Sequence, residues 1–304
     1  MRQGVIKEIH NQMRENKNIY FLTGDLGFNA IEEIEKDFPE RFIDVGIAEQ
    51  NMIGIAAGLA LQGKKVYIYS IVPFVTMRCF EQIRNDICYH NLDVTILGIG
   101  AGMSYGILSS THFALEDVAI LRSLPNMNIF SPADEIEAVL GTKFMKNYHH
   151  PMYLRVGKRE EPIVYDKPYD FKFGKGVVLK KGKDTTIFAS GPIISEVLGA
   201  VKTLKNIDAG VVDIHTIKPI DKELIIKESR GKKTVFTVEE HGVIGGLGSA
   251  VSEIISEYLP GTRVIRIGTP DKFVKEVGSQ AYLRKIYGID EEGLIATIKS
   301  KIKN

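Results

Sequence analysis

Two cysteines in 304 residues, Cys79 and Cys88, are too few for a disulfide framework, and neither has metal-ligand company. They read as reduced core thiols, which points to a cytoplasmic protein. Long apolar runs are missing too: none approaches the roughly 18–20 residues needed to span a bilayer. The N-terminus, Met-Arg-Gln-Gly-Val-Ile-Lys-Glu, lacks the uninterrupted apolar core of a signal peptide. Charge of one sign is absent as well. With 39 basic and 38 acidic residues the formal net charge is +1, so no large field selects nucleic acid or an anionic membrane. No internal repeat or low-complexity segment stands out. What is present, 44% hydrophobic and 25% charged residues, suits a soluble globular protein of two domains or one large α/β domain.

The most informative stretch is residues 41–60. A short β-like run, Phe42-Ile43-Asp44-Val45, stops at Gly46, and a helix follows from Ala48. Glu49 sits at its start, where exposed N–H groups and the positive end of the helix dipole favour a carboxylate. Gly54, Ala56, Ala57, Gly58 and Ala60 make the helix unusually small in volume, at a propensity cost of up to about 1 kcal/mol per Gly. Small residues allow close backbone approach, so this helix is expected against another element or another subunit. A carboxylate at the mouth of such a helix would be desolvated, as a proton donor requires. A solvated first-turn Glu on an ordinary packed helix fits the stretch equally well.

The rest of the chain alternates β and α patterns. Val5, Ile6, Ile9 and Met13 give an amphipathic helix over 2–16, and Asn18–Thr23 a buried strand ending in the turn Gly24-Asp25-Leu26-Gly27. Asp25 reads either as a turn former or as a carboxylate at the ligand end of a strand. Strands are expected at Lys65–Ser70, Asp93–Gly98, Asn128–Phe130 and Met152–Val156, with a helix through Phe80, Ile83, Ile87 and Cys88. Gly100-Ala101-Gly102-Met103 is not a dinucleotide fingerprint, because Met103 stands where the third glycine belongs. Ser109-Ser110-Thr111-His112 reads as an exposed loop, in which His112 fits a capping or core role as well as a catalytic one. Ser131-Pro132 predicts an N-cap with Pro at the first helical position.

The pattern lapses over 161–175, which we take as a linker between domains at 1–160 and 176–304. A second alternation follows, with strands at Thr185–Ala189, Ala209–Ile214, Thr234–Glu239 and Arg263–Ile267. A turn is expected at Glu240-His241-Gly242, and a helix starting at Gly245-Gly246-Leu247-Gly248. That glycine turn is either structural or an anion site. The fold class is therefore α/β, with two domains, each a largely parallel sheet flanked by helices.

Several stretches in order resemble one family. Asp44-Val45-Gly46-Ile47-Ala48-Glu49-Gln50-Asn51 matches its Asp-Val-Gly-Ile-Ala-Glu-Gln signature. Glu81–Asp86, Leu115-Glu116-Asp117, Leu121–Met127, Thr216–Asp221 and Glu239-Glu240-His241 with Gly245–Gly248 follow at the family's spacing. Essentially the whole chain resembles the C-terminal half of transketolase, a pyrimidine-binding domain followed by the C-terminal domain. The resemblance implies thiamine diphosphate as cofactor. It makes Glu49 the residue that hydrogen-bonds the pyrimidine nitrogen and activates the ring, and Phe74 the aromatic stacked on it. Ile71 and Met77 flank the ring at positions often aromatic in relatives, and Asp25 is a weaker cofactor-side candidate. His112 matches the Thr-His of a substrate-side loop, where an imidazole hydrogen-bonds the donor or handles protons.

The family's Gly-Asp-Gly segment and following Asn, which hold Mg²⁺ or Ca²⁺ and the diphosphate, have no counterpart here; Gly24-Asp25-Leu26 lies in the wrong domain. The resemblance thus implies a separate N-terminal subunit, an α2β2 assembly with self-association through both domains, and a chain inactive alone. Substrate positions also depart from the family. Leu108 replaces an Asp that reads a sugar hydroxyl, Gly100 a second histidine, and Phe28 a serine near the sugar phosphate; Arg2 and Lys158 still match phosphate-binding positions. Each polar group of a sugar left unpaired costs roughly 1–3 kcal/mol, so a less hydroxylated or modified acceptor is expected. The alternatives are the β subunit of a 2-oxo acid dehydrogenase, a 1-deoxyxylulose 5-phosphate synthase relative, or a non-catalytic regulatory subunit. Retention of Glu49 and Phe74, which folding alone does not need, argues against the last.

Overall fold

Runs of β-branched, aromatic and aliphatic residues form strands buried on both faces, as parallel sheets between helices require. The computed structural model describes residues 1–158 and 161–302; Arg159 and Glu160, at the end of the expected first domain, and the last two residues lie outside the described residues. The strands are β1 (Ile19–Thr23), β2 (Phe42–Asp44), β3 (Lys65–Ile71), β4 (Val94–Ile99), β5 (Asn128–Phe130), β6 (Met152–Val156), β7 (Val177–Lys180), β8 (Thr185–Ser190), β9 (Ala209–Asp213), β10 (Thr216–Lys218), β11 (Thr234–Gly242) and β12 (Arg263–Thr269). They make a seven-stranded sheet, β10-β5-β6-β4-β3-β1-β2, and a five-stranded sheet, β12-β11-β8-β9-β7.

Helices α1 (Arg2–Glu15), α2 (Glu32–Asp37), α3 (Glu49–Leu61), α4 (Val72–Val75), α5 (Phe80–Gln82), α6 (Asp117–Arg122) and α7 (Glu135–Met145) accompany the first sheet. The second carries α8 (Ile194–Thr203), α9 (Lys222–Ser229), α10 (Leu247–Tyr258), α11 (Gln280–Ile286) and α12 (Glu291–Ile302). Strand side chains alternate between two cores, as the pleat dictates. Phe21, Tyr67 and Leu97 pack with Ile9 and Met13 on one face, while Leu22, Ile68 and Ile96 pack with Met52 and Ile53 on the other. Cys79 and Cys88 are free, buried thiols, and burial pushes both up to about 12.

The structure departs from the sequence reading in four places. Helix α7 is capped by Asp134, not Ser131: Asp134 Oδ1 accepts the Glu137 N–H at 3.0 Å. The stretch Glu240-His241-Gly242 continues β11 instead of turning: the ladder with β12 shifts register after Val238↔Ile267 and is resumed at Gly242↔Thr269. Phe80–Cys88 is α-helical only at α5 and continues as a π-helix over Ile83–Cys88. Strands β7 and β10, not anticipated, pair antiparallel with β9 and β5. Strand β10 belongs by sequence to the C-terminal part yet extends the first sheet, which joins the two halves through backbone hydrogen bonds.

Candidate active site

The parallel strands of the first sheet end on a common edge, the place where ligands bind in open α/β sheets. Glu49 opens α3 there and is 1% exposed. The turn after β1 packs on it: a Cβ at Gly24 would lie 3.1 Å from the Gly46 carbonyl oxygen and 3.8 Å from Glu49 Cγ. Asp44 Oδ1 accepts the N–H groups of Asp25 and Gly46, each at 2.9 Å, and so ties the two turns together. Asp25 holds a positive φ of 55° and its own side chain points outward.

Beyond β3, the turn through α4 brings Phe74 and Arg78 to this edge. Arg78 Nη1 lies 2.7 Å from Glu49 Oε2, and its guanidinium carbon stands 4.7 Å from the centre of the Phe74 ring. His112 meets the edge of the same ring at 5.1 Å and Tyr105 at 5.7 Å. Lys158 Nζ lies 4.2 Å over the Tyr105 ring, and the Arg2 charge acts on the neighbouring Tyr69 hydroxyl. Glu49, Phe74, His112, Lys158 and Arg2 thus share one edge through a chain of contacts. Ile71 is buried and Met77 half-buried beside Phe74; Leu108 and Phe28 are on the rim, with Phe28 74% exposed. Partial burial, reinforced by the Lys158 charge, holds the His112 imidazole below the usual histidine value.

Tyr105 escaped the sequence reading. Gly100 has φ +97°, and a Cβ there would lie 2.1 Å from Tyr105 Cε2, so the ring occupies the space a side chain at position 100 would need. Burial pushes the Tyr105 hydroxyl up to about 12, leaving it a neutral donor at ordinary pH.

The Gly100–His112 loop owes its shape to the C-terminal half. Glu240, 5% exposed, accepts the Met103 N–H at 2.6 Å, Gln280 Nε2 at 2.8 Å and Arg284 Nε at 2.6 Å. Ser110 Oγ donates to the Val274 carbonyl, and a Cβ at Gly106 would sit 2.2 Å from the Gly278 carbonyl oxygen. Between these anchors Ser109 adopts φ 61°, ψ −166°, a region almost confined to glycine and sustained only where the surroundings enforce it. No local sequence signal marks Glu240 as an anchor, since its partners lie 40 or more residues away.

The Gly245–Gly248 turn is structural. Glu239 Oε2 and Oε1 accept the N–H groups of Leu247 and Gly248 at 2.7 and 2.8 Å, so the protein's own carboxylate occupies the N-terminus of α10. A side chain at Gly246 would collide with it, with Cβ 2.1 Å from Glu239 Oε2. Among the described residues no three His, Cys, Asp or Glu side chains are grouped to hold a metal ion, and no helix is long and apolar enough to cross a membrane.

This fold and edge define an α/β protein with a candidate ligand site at the carboxyl ends of its parallel strands. Residues 1–162 match the family model for the transketolase pyrimidine binding domain, and residues 174–294 that for the transketolase C-terminal domain. The chain belongs to the transketolase family. It is 39% identical over its whole length, and 96% of the relative's, to a putative transketolase C-terminal section from Methanocaldococcus jannaschii. It is 38% identical, over 95% of the chain and 93% of the relative, to one of the subunits of apulose-4-phosphate transketolase from Phocaeicola vulgatus. A solved structure described as a split gene transketolase in an inactive beta4 tetramer superposes with a TM-score of 0.89, at 39% identity, over 99% of this chain and 97% of the other.

Proposed function

We propose that the chain is the pyrimidine-side subunit of a two-chain, thiamine-diphosphate-dependent transketolase that moves a two-carbon ketol unit between sugars. The observation that carries this reading is Glu49: a carboxyl 1% exposed at the mouth of α3, within one side chain's reach of the Phe74 ring. Such a pair fits an aminopyrimidine, with the carboxyl at a ring nitrogen and the phenyl on its face. The cofactor, once bound, supplies the carbanion chemistry. This chain's part is to orient and protonate the ring through Glu49, stack it on Phe74, and exclude water with Ile71 and Met77. His112, poised neutral, serves the substrate's oxygens as a hydrogen-bond partner or proton carrier.

The diphosphate and its Mg²⁺ or Ca²⁺ belong mainly to a second, N-terminal subunit carrying the Gly-Asp-Gly motif. An α2β2 assembly accommodates this. The outer face of α3 suits a subunit contact, since Gly54 and Gly58 open onto empty space and Ile47 and Leu61 are 78% and 60% exposed. Arg2 and Lys158 form the phosphate end of the substrate site. Tyr105 on Gly100, with Leu108 and Phe28 at the rim, narrows it toward an acceptor with fewer hydroxyls or a modified one.

Reconstitution tests this. Mixed with a Gly-Asp-Gly-bearing partner chain, Mg²⁺ and thiamine diphosphate, the protein is expected to transfer ketol units, and Glu49→Gln to abolish turnover while assembly survives. Thiamine-dependent turnover by the purified chain alone overturns the split-site reading. Comparable turnover of ribose 5-phosphate and xylulose 5-phosphate overturns the atypical acceptor.

A further inference from the structure

We propose that Arg78 is a built-in occupant of the pyrimidine seat: in the subunit without cofactor its guanidinium fills the space between Glu49 and Phe74, and it swings out when the cofactor ring binds. The inference rests on the functional reading above and adds a role for a residue that reading leaves unused.

The argument starts from Glu49. A carboxylate removed from water costs several kcal/mol unless it is paired. Glu49 is 1% exposed, and Arg78 Nη1 supplies the pairing at 2.7 Å. The same guanidinium lies 4.7 Å from the centre of the Phe74 ring, within the range of a cation–π contact. Arg78 therefore engages both groups assigned to the pyrimidine, and engages them in the same way. A guanidinium is planar and cationic and presents an in-plane N–H donor, as a ring-protonated aminopyrimidine does. One carboxylate oxygen and one ring face cannot serve both at once.

The local chain makes the exchange feasible. Arg78 sits four residues after Phe74, on the turn that leaves α4, with its N–H bonded to the Pro73 carbonyl at 3.3 Å. Its side chain is 45% exposed against 1% for Glu49. The arginine can thus rotate into solvent without unpacking its neighbours, whereas the glutamate stays fixed. Removal of Arg78 would leave Glu49 without a competing cation, ready for the ring.

The test uses the chain together with its diphosphate-binding partner subunit. Calorimetric titration with thiamine diphosphate and Mg²⁺ is expected to show Arg78→Met binding about tenfold tighter than wild type, the sum of a half-exposed ion pair and a cation–π contact. Arg78 is half-exposed, so this variant is expected to fold; its circular dichroism and melting are the check. A second readout needs no variant: the side-chain N–H signals of ¹⁵N-arginine should contain one paired guanidinium that Glu49→Gln shifts and that moves again on cofactor addition. Equal or weaker binding by Arg78→Met, or an Arg78 signal unmoved by bound cofactor, overturns the inference and leaves the function standing. A wild-type complex that binds no thiamine diphosphate overturns both.

Discussion

Raising the pH through neutrality should loosen the joint where Tyr165 and Tyr169 pack between α7 and β9. Glu137 in the first turn of α7 and Asp213 at the end of β9 are both 0% exposed and close enough to act on each other's charge, and Asp213 Oδ1 accepts no N–H or O–H donor from the described residues. Glu137 Oε1 accepts the Tyr169 hydroxyl at 2.6 Å, Glu137 Oε2 the Ala133 N–H at 2.7 Å, and Asp213 Oδ2 the Tyr165 hydroxyl at 2.8 Å. Asp134 adds a third acidic group, accepting the N–H groups of Val164 and Tyr165. Two carboxylates cannot both be charged in so dry a place, so the pair retains a proton. Desolvation, first of the causes, pushes Glu137 up to about 7, and Asp213 also lies well above its usual range.

The folded value exceeds the unfolded one, so the stabilisation is complete below about 4.5 and is lost as pH rises through about 7. At 1.36 kcal/mol per pH unit that interval corresponds to about 3 kcal/mol for Glu137. The urea midpoint of the wild-type chain should therefore be higher at pH 5.5 than at pH 8.5. Glu137→Gln should flatten the difference, because an uncharged amide can donate to Asp213 while its oxygen still accepts. Near-ultraviolet dichroism, compared between wild type and Tyr165→Phe, isolates the joint's share of the signal, the chain having twelve tyrosines and no tryptophan. An unchanged pH dependence in both Glu137→Gln and Asp213→Asn would refute the shared proton.

Gly100→Ala combines a φ of +97° with a Cβ 2.1 Å from the Tyr105 ring, so a loss of about 1–3 kcal/mol is expected from the backbone alone. Thermal melting measures it, and the reconstituted complex should lose substrate affinity before it loses cofactor affinity. Arg155 and Asp117, 4% and 0% exposed and 2.7 Å apart, form a buried ion pair that also fixes the Ala114 and Glu240 carbonyls. Removing one partner, as in Asp117→Asn or Arg155→Met, should cost about 3–5 kcal/mol in urea unfolding, and a loss below about 1 kcal/mol would contradict the geometry.

Much of the architecture was legible because it rests on short-range patterns. The buried strands are continuous apolar runs, and α1 shows its helical spacing in Val5, Ile6, Ile9 and Met13. Glu49 was legible as a carboxylate opening a helix, and Glu49 is in fact the first residue of α3. The N-cap of α7 was misplaced because Ser131-Pro132 is a strong local signal. The overlooked competitor was the Asp134-x-x-Glu137 pattern, in which Asp134 caps Glu137 N while Glu137 reaches back to Ala133 N. Strands β7 and β10, at four and three residues, are too short to carry a period.

By itself the sequence determined an α/β chain of two alternating halves, the family, and a carboxylate opening a helix of small residues. These follow from periodicity, capping and motif spacing, all properties of neighbours along the chain. Only the tertiary structure decided who stands beside that carboxylate. Arg78, 29 residues on, pairs with Glu49; Tyr105 fills the space above Gly100; Glu240, 137 residues from Met103, holds the Gly100–His112 loop. The reason is physical: burial, ring contact and desolvation depend on which strand ends share an edge, and sheet order β10-β5-β6-β4-β3-β1-β2 is set by long-range packing.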